Sequence, residues 1–541
     1  RTLDPAQSNF SVSGWAQIDS LLYSGLFTLD THLRPVPALA TSYTVSADGL
    51  RYTFHLRAGA RFAEGTPLTS ADVAFSLNRV MSGCVPSGAS GLFPDVKDAA
   101  GFIQMCRGGP PPGARAVTTL IGDALLTPDP STLVIVLTRP DSALTSKLAE
   151  PYSLIVERSF VANYGANWPE HLAEGGGQGT SGMYAVAAWT PWGPENEGAR
   201  SDASLTLRVA PGYWGPQPLL RQVVIALRGR QSAETTTPDS FQAMFFALKP
   251  ADEIVFDASP LSLFARQTAG KGLTFTTAPE RTVDALALDP HTAPLDDPHL
   301  RQALVLALDK TQLAKLDDGM ATNHLIPPGT GAYPTSLSGP LATAPLTGDV
   351  AQAQALWQSY VHDRCAGVAS RCPAITAFDD GQIGVEPLEP AILARWSAIL
   401  PGIHFKQVVY GGLLMLTAPP PPAVSYAPWL EDYPDPQDWL QSYTNVPGYE
   451  QSLPATAPYF EDTQADALVA RAEATRDSTA RLALYHQAEL ALLNAAEVVP
   501  IAQVQDSWGI RSTVINFPAD PEPWIAPSVW ARIYLSAPIS K

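Results

Sequence analysis

The chain has 541 residues, which suggests about three to four domain-sized units. It carries 34 Lys plus Arg against 52 Asp plus Glu, a formal net charge of −18. That balance argues against nucleic acid, whose binding relies on basic patches that displace condensed counterions. Hydrophobic residues make up 45% and aromatics 9%, ample for a packed core, and the longest apolar stretches fall far short of the ~20 residues of a spanning helix. A soluble globular protein is expected, with long loops and many turns from its 51 Pro and 39 Gly.

In chain order, the first 45 residues read as a strand, a helix around Trp15 to Leu22, and a turn at Tyr23-Ser24-Gly25-Leu26. The stretch RYTFHLRAGARFAEGTPLTSADVAFSLNRV alternates, turns at Glu64-Gly65-Thr66-Pro67 and becomes helical. There Thr69 and Asp72 fit a capping box, and Val73, Leu77 and Val80 mark one helical face. Residues 83 to 115 form a Gly/Pro-rich insertion, and TLVIVLTRP predicts a buried strand ended by Pro140. EGGGQGTSG, residues 174 to 182, reads as a flexible junction before strands at MYAVAAW and SLTLRVA. A strand pair near VVIAL then leads to a helix and an apolar segment at EIVFDASP.

The periodicity of Leu300, Ala303, Leu304, Ala307 and Leu308 predicts one helix over 298 to 314, with Pro298 in its first turn. A strand-like YAPWL follows the Pro-rich APPPPAV, and ARLALYHQAELALLNAAE predicts a long amphipathic helix. Strands alternating with helices, broken by junctions, give an α/β protein of two or more lobes.

Four cysteines, Cys84, Cys106, Cys365 and Cys372, form two local pairs, although three connectivities exist. Each pair brackets loop-like sequence that a cross-link would stabilise, by about 3 kcal/mol for the first. Disulfides imply an oxidising, extracytoplasmic setting. The competing readings are buried free thiols or a metal site, against which there is no C-x-x-C and no His at zinc-finger spacing. A chain opening on Arg1 is expected to be a mature or trimmed form, its export signal not visible.

Catalytic signals are weak. Gly177, Gly179 and Gly182 spell G-x-G-x-x-G, but a strand-like MYAVAAWTPW follows where a dinucleotide site needs a helix, so a hinge loop is the better reading. No H-E-x-x-H, G-x-S-x-G or phosphate-loop motif is present, and the nine histidines are scattered. The most unusual segment is WLEDYPDPQDWL, residues 429 to 440. It sets Glu431, Asp432, Asp435 and Asp438 among Trp429, Tyr433 and Trp439, with Pro434 and Pro436 expected to prevent a helix. Its residues leave three readings open. They are a solvated acidic turn with aromatics packed inward, a carboxylate for a ligand cation beside stacking surfaces, and a calcium site.

Taken in order, TLDPAQSN, YSGL, PALATSY, the long ADGLRYTFHLRAGARFAEGTPLTSADVAFSLNRV, GTSGMY, PGYWG, DDPHLRQALVLALDKTQL, EDYPDPQDWL and RLALYHQAELALLNAAEVVPI run nearly the whole chain. This set resembles the family 5 extracellular solute-binding proteins of ABC importers, the group containing dipeptide- and oligopeptide-binding proteins. The resemblance implies a two-lobed periplasmic-binding-protein-like α/β fold (type II, cluster C) with an extra subdomain in the first lobe. Carried onto this chain, the first lobe is expected to hold residues 1–45, 181–279 and 508–541, the subdomain 46–180 and the second lobe 280–507. Junctions near residues 279 and 507 would act as hinges.

The resemblance also implies function: an extracytoplasmic protein that captures peptides between its lobes and delivers them to a permease with its ATPase. It is expected to be a monomer and not an enzyme, and to need no cofactor and no metal. Its only membrane attachment would be a lipidated residue upstream of Arg1. In peptide-binding members the carboxylate of a D-Y-type motif pairs with the ligand's α-ammonium, and the matching residue is Asp432. Trp429 stands where a tryptophan borders a side-chain pocket. Backbone groups around Leu430 and Glu431 would pair with the peptide as an added strand, and the opposing contact would come from a loop near Ser13 and Gly14. Members also bind nickel complexes, haem, opines and oligosaccharides, so a non-peptide solute on the same fold is the alternative. An unrecognised hydrolase is the alternative of another class. Departures from the common pattern are YSGL for Y-E-G-L, Asp289 for an Asn, and GTSGMY for the shorter G-T-G-P-Y.

Overall fold

Local chemistry sets the first elements. Ser70–Met81 is a helix because Thr69 and Asp72 close its first turn: Asp72 Oδ2 accepts the Thr69 N–H at 2.9 Å and the Thr69 hydroxyl at 2.7 Å. Val73, Ala74, Leu77, Val80 and Met81 are buried along one face. Arg51–Leu56 alternates, with Tyr52, Phe54 and Leu56 buried. It lies in a four-stranded antiparallel sheet between Ala40–Val45 and Thr132–Val136, with Leu125–Asp129 beyond.

The computed structural model describes residues 2–7, 13–81, 88–108, 119–174, 176–190, 204–229, 241–246, 253–257, 273–317, 319–327, 330, 333, 336–379, 388–409, 422–444, 462–511, 514–518 and 527–535. The chain divides into two compact units, Arg1–Ala278 with Asp506–Lys541, and Pro279–Gln505. Strands Leu273–Leu288 and Val498–Arg511 each carry the chain from one unit to the other.

Unit one holds the four-stranded sheet and a second antiparallel run, Tyr184–Thr190, Ser204–Val209, Gln222–Gly229, Phe241–Phe246 and Glu253–Asp257. The last of these pairs with residues 507 to 510. Ile18, Leu21, Tyr23, Trp168, Tyr184, Leu205, Ile225 and Trp530 form its core. In unit two, Ile375–Asp379 lies parallel to both Phe405–Val409 and Val424–Tyr426, and the latter pairs antiparallel with residues 286 to 288. Helices Val350–Arg364 and Leu388–Ile399 cover one core around Trp357, Ile392 and Trp396. Thr463–Glu473 and Ser478–Asn494 cover another around Trp439, Val469 and Tyr485. Among the described residues no helix is long and apolar enough to cross a membrane.

Several expectations are corrected. Pro5–Gln7 is a single 3-10 turn rather than a strand, because Asp4 Oδ1 accepts the Ala6 N–H at 3.1 Å and bends the chain. The first helix runs Ser13–Leu22, so Ser13 and Gly14 lie in its first turn, not in a loop. Phe241–Phe246 is a strand where a helix was expected, drawn into the sheet by partners on both sides; residues 230–240 and 247–252 lie outside the described residues.

The helix expected over 298 to 314 ends at Ala307, and Lys310–Leu313 forms a separate turn capped by Asp309. The cause is tertiary. Leu306 O accepts from Asp349 N, and Lys310 N donates to Leu346 O, so a passing segment takes both groups that would have continued the helix. Cys365 and Cys372 form a disulfide; closing so short a loop is worth about 2.5 kcal/mol in the chain-entropy account. Cys84 lies outside the described residues, and with it the Cys84–Cys106 pairing.

The G-x-G-x-x-G segment is a packed loop. Glu157 Oε2 accepts the Gly179 N–H at 3.1 Å, and Thr180 Oγ1 donates to Gly177 O at 2.8 Å. At Gly182 a Cβ would sit 2.5 Å from Leu21 O, so only glycine lets this loop close on the end of the first helix.

Candidate functional site

The acidic segment belongs to unit two. Trp429–Leu430 is a short strand against Leu273–Leu288, in register with Val283 and Thr282. Ala427 N–H donates to Ala285 O at 2.8 Å and Glu431 N–H to Arg281 O at 2.7 Å. Alternate residues of an antiparallel strand bond to the same neighbour, so the main chain of Leu430, between them, faces away from that neighbour. Among the described residues its N–H and C=O form a strand edge, whereas the Glu431 N–H is already bonded.

A helix does follow, contrary to expectation. Pro436–Gln441 starts on its proline, which occupies the N1 position where no N–H is needed. Asp435 is its N-cap, with Oδ1 accepting the Gln437 N–H at 3.0 Å. The Arg481 guanidinium grips the same carboxylate, both side chains less than a tenth exposed.

The remaining carboxylates diverge. Glu431 points inward: its Oε2 accepts the Trp439 Nε1–H at 3.0 Å, and Oε1 lies 3.3 Å from Arg281, an ion-pair contact. Burial pushes the Glu431 carboxyl above its ordinary range, and the Arg281 charge pulls against that. Asp438 is fully enclosed, with Oδ2 accepting from Trp429 Nε1 and from the Asp432 N–H, both at 2.9 Å. Burial first, and the negative charge of Asp432 second, hold its carboxyl well above the usual carboxylate range. Tyr433, wholly buried, meets Gln437 and Gln441, whose amides both donate to Glu473. Of the four carboxylates, Asp432 alone is half-buried, beside a half-buried Trp429 and Leu430.

The segment is therefore not a solvated acidic turn, because three of its four carboxylates are packed into the unit. Nor do those three converge as calcium ligands would, since each faces different partners. Among the described residues no group of three or more His, Cys, Asp or Glu is placed to hold a metal ion. The Ser13 side chain and the surroundings of Gly14 lie outside what is described. Sequence reasoning missed Arg281, Arg481 and the enclosing role of Asp438; only the i, i+9 and i, i+6 spacings from Asp438 back to Trp429 and Asp432 hinted at it. A separate cavity in unit one, of about 40 Å³, is lined by Tyr23, Ser24, Phe27, Met183, Tyr213 and Trp214. It has room for a few water molecules.

The family model for bacterial extracellular solute-binding proteins, family 5 Middle, matches residues 34–365. The chain belongs to this family. Family membership makes it a solute-binding protein with the two-lobed α/β fold expected from its motifs. Over 501 residues it is 25% identical to the dipeptide-binding protein of Escherichia coli K12, covering 90% of this chain and 84% of that one. The glutathione-binding protein GsiB of Escherichia coli O1:K1 is 24% identical over 519 residues, covering 92% and 86%. Among solved structures, the unliganded open form of the periplasmic murein tripeptide-binding protein MppA superposes with a TM-score of 0.72. It shares 20% identity over 99% of this chain and 95% of that one, a likeness of fold.

Proposed function

We propose that the solute is a peptide with a free N-terminus and that Asp432 pairs with its α-ammonium. The observation that carries this is the arrangement of residues 429 to 438. Glu431, Asp435 and Asp438 are locked inward on Arg281, Trp439, Arg481 and Trp429. The half-buried Asp432 stands next to a strand edge at Leu430 and an aromatic wall at Trp429. A carboxylate in that setting forms a charge-assisted bond to an ammonium, and an exposed main-chain edge takes an extended peptide as an added strand. The relatives named for dipeptide and glutathione support the same chemistry. Glu431 contributes through its inward bonds, which hold the strand end, rather than by touching ligand. Ser13 and Gly14 remain further contacts of the proposal.

On this reading the protein works outside the cytoplasmic membrane, as a monomer held there by lipid or free, and delivers its solute to an ABC permease with its ATPase. It turns nothing over and carries no cofactor. The test is mass spectrometry of the small molecules released on denaturing freshly purified protein, followed by titration with tri- to pentapeptides and their N-acetylated forms. Released short peptides, and binding abolished by acetylation, are the expected result. A single non-peptide species, or equal affinity for acetylated peptides, overturns it.

A further inference from the structure

Asp438 makes none of the ligand contacts proposed above, yet it connects the two residues that matter most in them. One oxygen, Oδ2, accepts the indole N–H of Trp429 and the main-chain N–H of Asp432, both at 2.9 Å. It thereby sets the plane of the aromatic wall and the placement of the anchor. Among the described residues the other oxygen, Oδ1, makes no hydrogen bond, and the residue has no exposed surface.

A carboxylate ion with an idle buried oxygen is costly, whereas a neutral carboxyl can keep a proton there and still accept both N–H groups through Oδ2. The charges that bear on it, Asp432 and Glu431, are both negative and both oppose ionisation. Around them, Arg281 on the Leu273–Leu288 strand faces Glu431, Arg481 on the Ser478–Asn494 helix is taken by Asp435, and Glu473 on the Thr463–Glu473 helix faces Gln437 and Gln441.

A cation docked at Asp432 changes this balance. It cancels the stronger of the two negative influences, and the two N–H groups at Oδ2 then favour the ion, since charge-assisted bonds are the stronger kind. We propose that Asp438 is a positioning residue of the solute site that releases its proton to solvent when a cationic group docks at Asp432. The O–H bond at Oδ1 breaks, its electron pair stays on the carboxylate, and the proton passes to buffer. This rests on the reading of Asp432 as the ammonium anchor.

The test is calorimetric titration with di-, tri-, tetra- and pentaalanine at pH 6, where the peptide amine is already charged, in two buffers of different ionisation enthalpy. The slope of apparent enthalpy against buffer enthalpy counts protons. The wild-type protein is expected to release a fraction of a proton per peptide bound. Asp438→Asn, which can still accept both N–H groups, is expected to bind within about threefold and to release none. Asp438→Leu, with no acceptor, is expected to bind more than tenfold more weakly while still unfolding cooperatively. If that variant fails to fold, the asparagine variant carries the test alone. Equal proton counts for wild type and Asp438→Asn overturn the inference and leave Asp432 standing as anchor. If the wild-type protein binds none of the four peptides, the reading of Asp432 fails and the inference with it.

Discussion

Ser24 and Ser181, 157 positions apart, hold each other by two hydrogen bonds. The Ser24 N–H donates to Ser181 Oγ and the Ser24 hydroxyl to Ser181 O, both at 2.9 Å, and Ser181 Oγ donates onward to Ile155 O at 2.7 Å. Each serine stands where this chain departs from its family's commoner spelling, Y-S-G-L and G-T-S-G-M-Y, so the two departures complete one another. Ser181→Ala leaves the buried Ser24 N–H without its acceptor and is expected to cost about 1–3 kcal/mol, read from the denaturant midpoint. The Ser24→Ala, Ser181→Ala double variant is expected to lose less than the sum of the single changes, because the two sites share one pair of bonds.

Asp432 is half-buried, so its replacement acts on binding more than on folding. Asp432→Asn is expected to weaken a peptide with a free N-terminus by about 1.5–3 kcal/mol, a factor of ten or more, as for a hydrogen bond to a charged group. Melting temperature should change little. Calorimetry on the two proteins checks this, and equal affinity would remove Asp432 from the anchoring role.

Asp435 both caps the Pro436–Gln441 helix and balances Arg481. Asp435→Asn keeps an oxygen for the cap but strands a guanidinium less than a tenth exposed. Breaking such a pair from one side costs about 3–5 kcal/mol. Asp435→Asn with Arg481→Met is expected to recover much of that loss, since no buried charge is left over. Chemical denaturation of the single and double variants distinguishes charge from packing.

Glu489 sets a pH dependence of stability. Its Oε1 accepts from Leu325 N and Ile326 N, its Oε2 meets the Tyr333 hydroxyl at 2.5 Å, and His324 and His486 flank it at 4.0 Å. Burial pushes its carboxyl up to about 7. A raised carboxyl binds its proton more tightly in the folded state, so its contribution is full below the ordinary glutamate value. It is lost as pH climbs through about 7. His486, pushed down by burial, has the opposite sign and loses its contribution as pH falls. Glu489→Gln is expected to gain stability relative to wild type between pH 5 and 8, with unfolding midpoints at several pH values as the measurement. A constant difference across that range would exclude Glu489 as a source of the slope.

Much of the fold was legible because its signals are local. The Thr69–Asp72 cap, the alternation of Arg51–Leu56 and the periodicity of Ser478–Asn494 each act within a few residues. The errors have two physical origins, one local and one tertiary. Proline at 436 was read as a helix breaker, but its position after a capping aspartate makes it a helix starter. The break after Ala307 was invisible because the groups that interrupt it belong to residues 346 and 349. At the site, composition named the carboxylates without telling which way each one points.

The sequence alone determined the family, the α/β class and the segment to watch, because ordered motifs and short-range periodicities survive in one dimension. Only the tertiary structure decided that Glu431, Asp435 and Asp438 turn inward while Asp432 stays half-buried. Four carboxylates within eight residues are equivalent in composition. What separates them is the free energy of desolvation, set by Trp439 and Arg281 for Glu431, by Arg481 for Asp435, and by Trp429 for Asp438. Arg281 and Arg481 come from a strand and a helix far away in the chain, and the two tryptophans meet their carboxylates only through the fold of the segment itself, so the sorting exists only once the chain has folded.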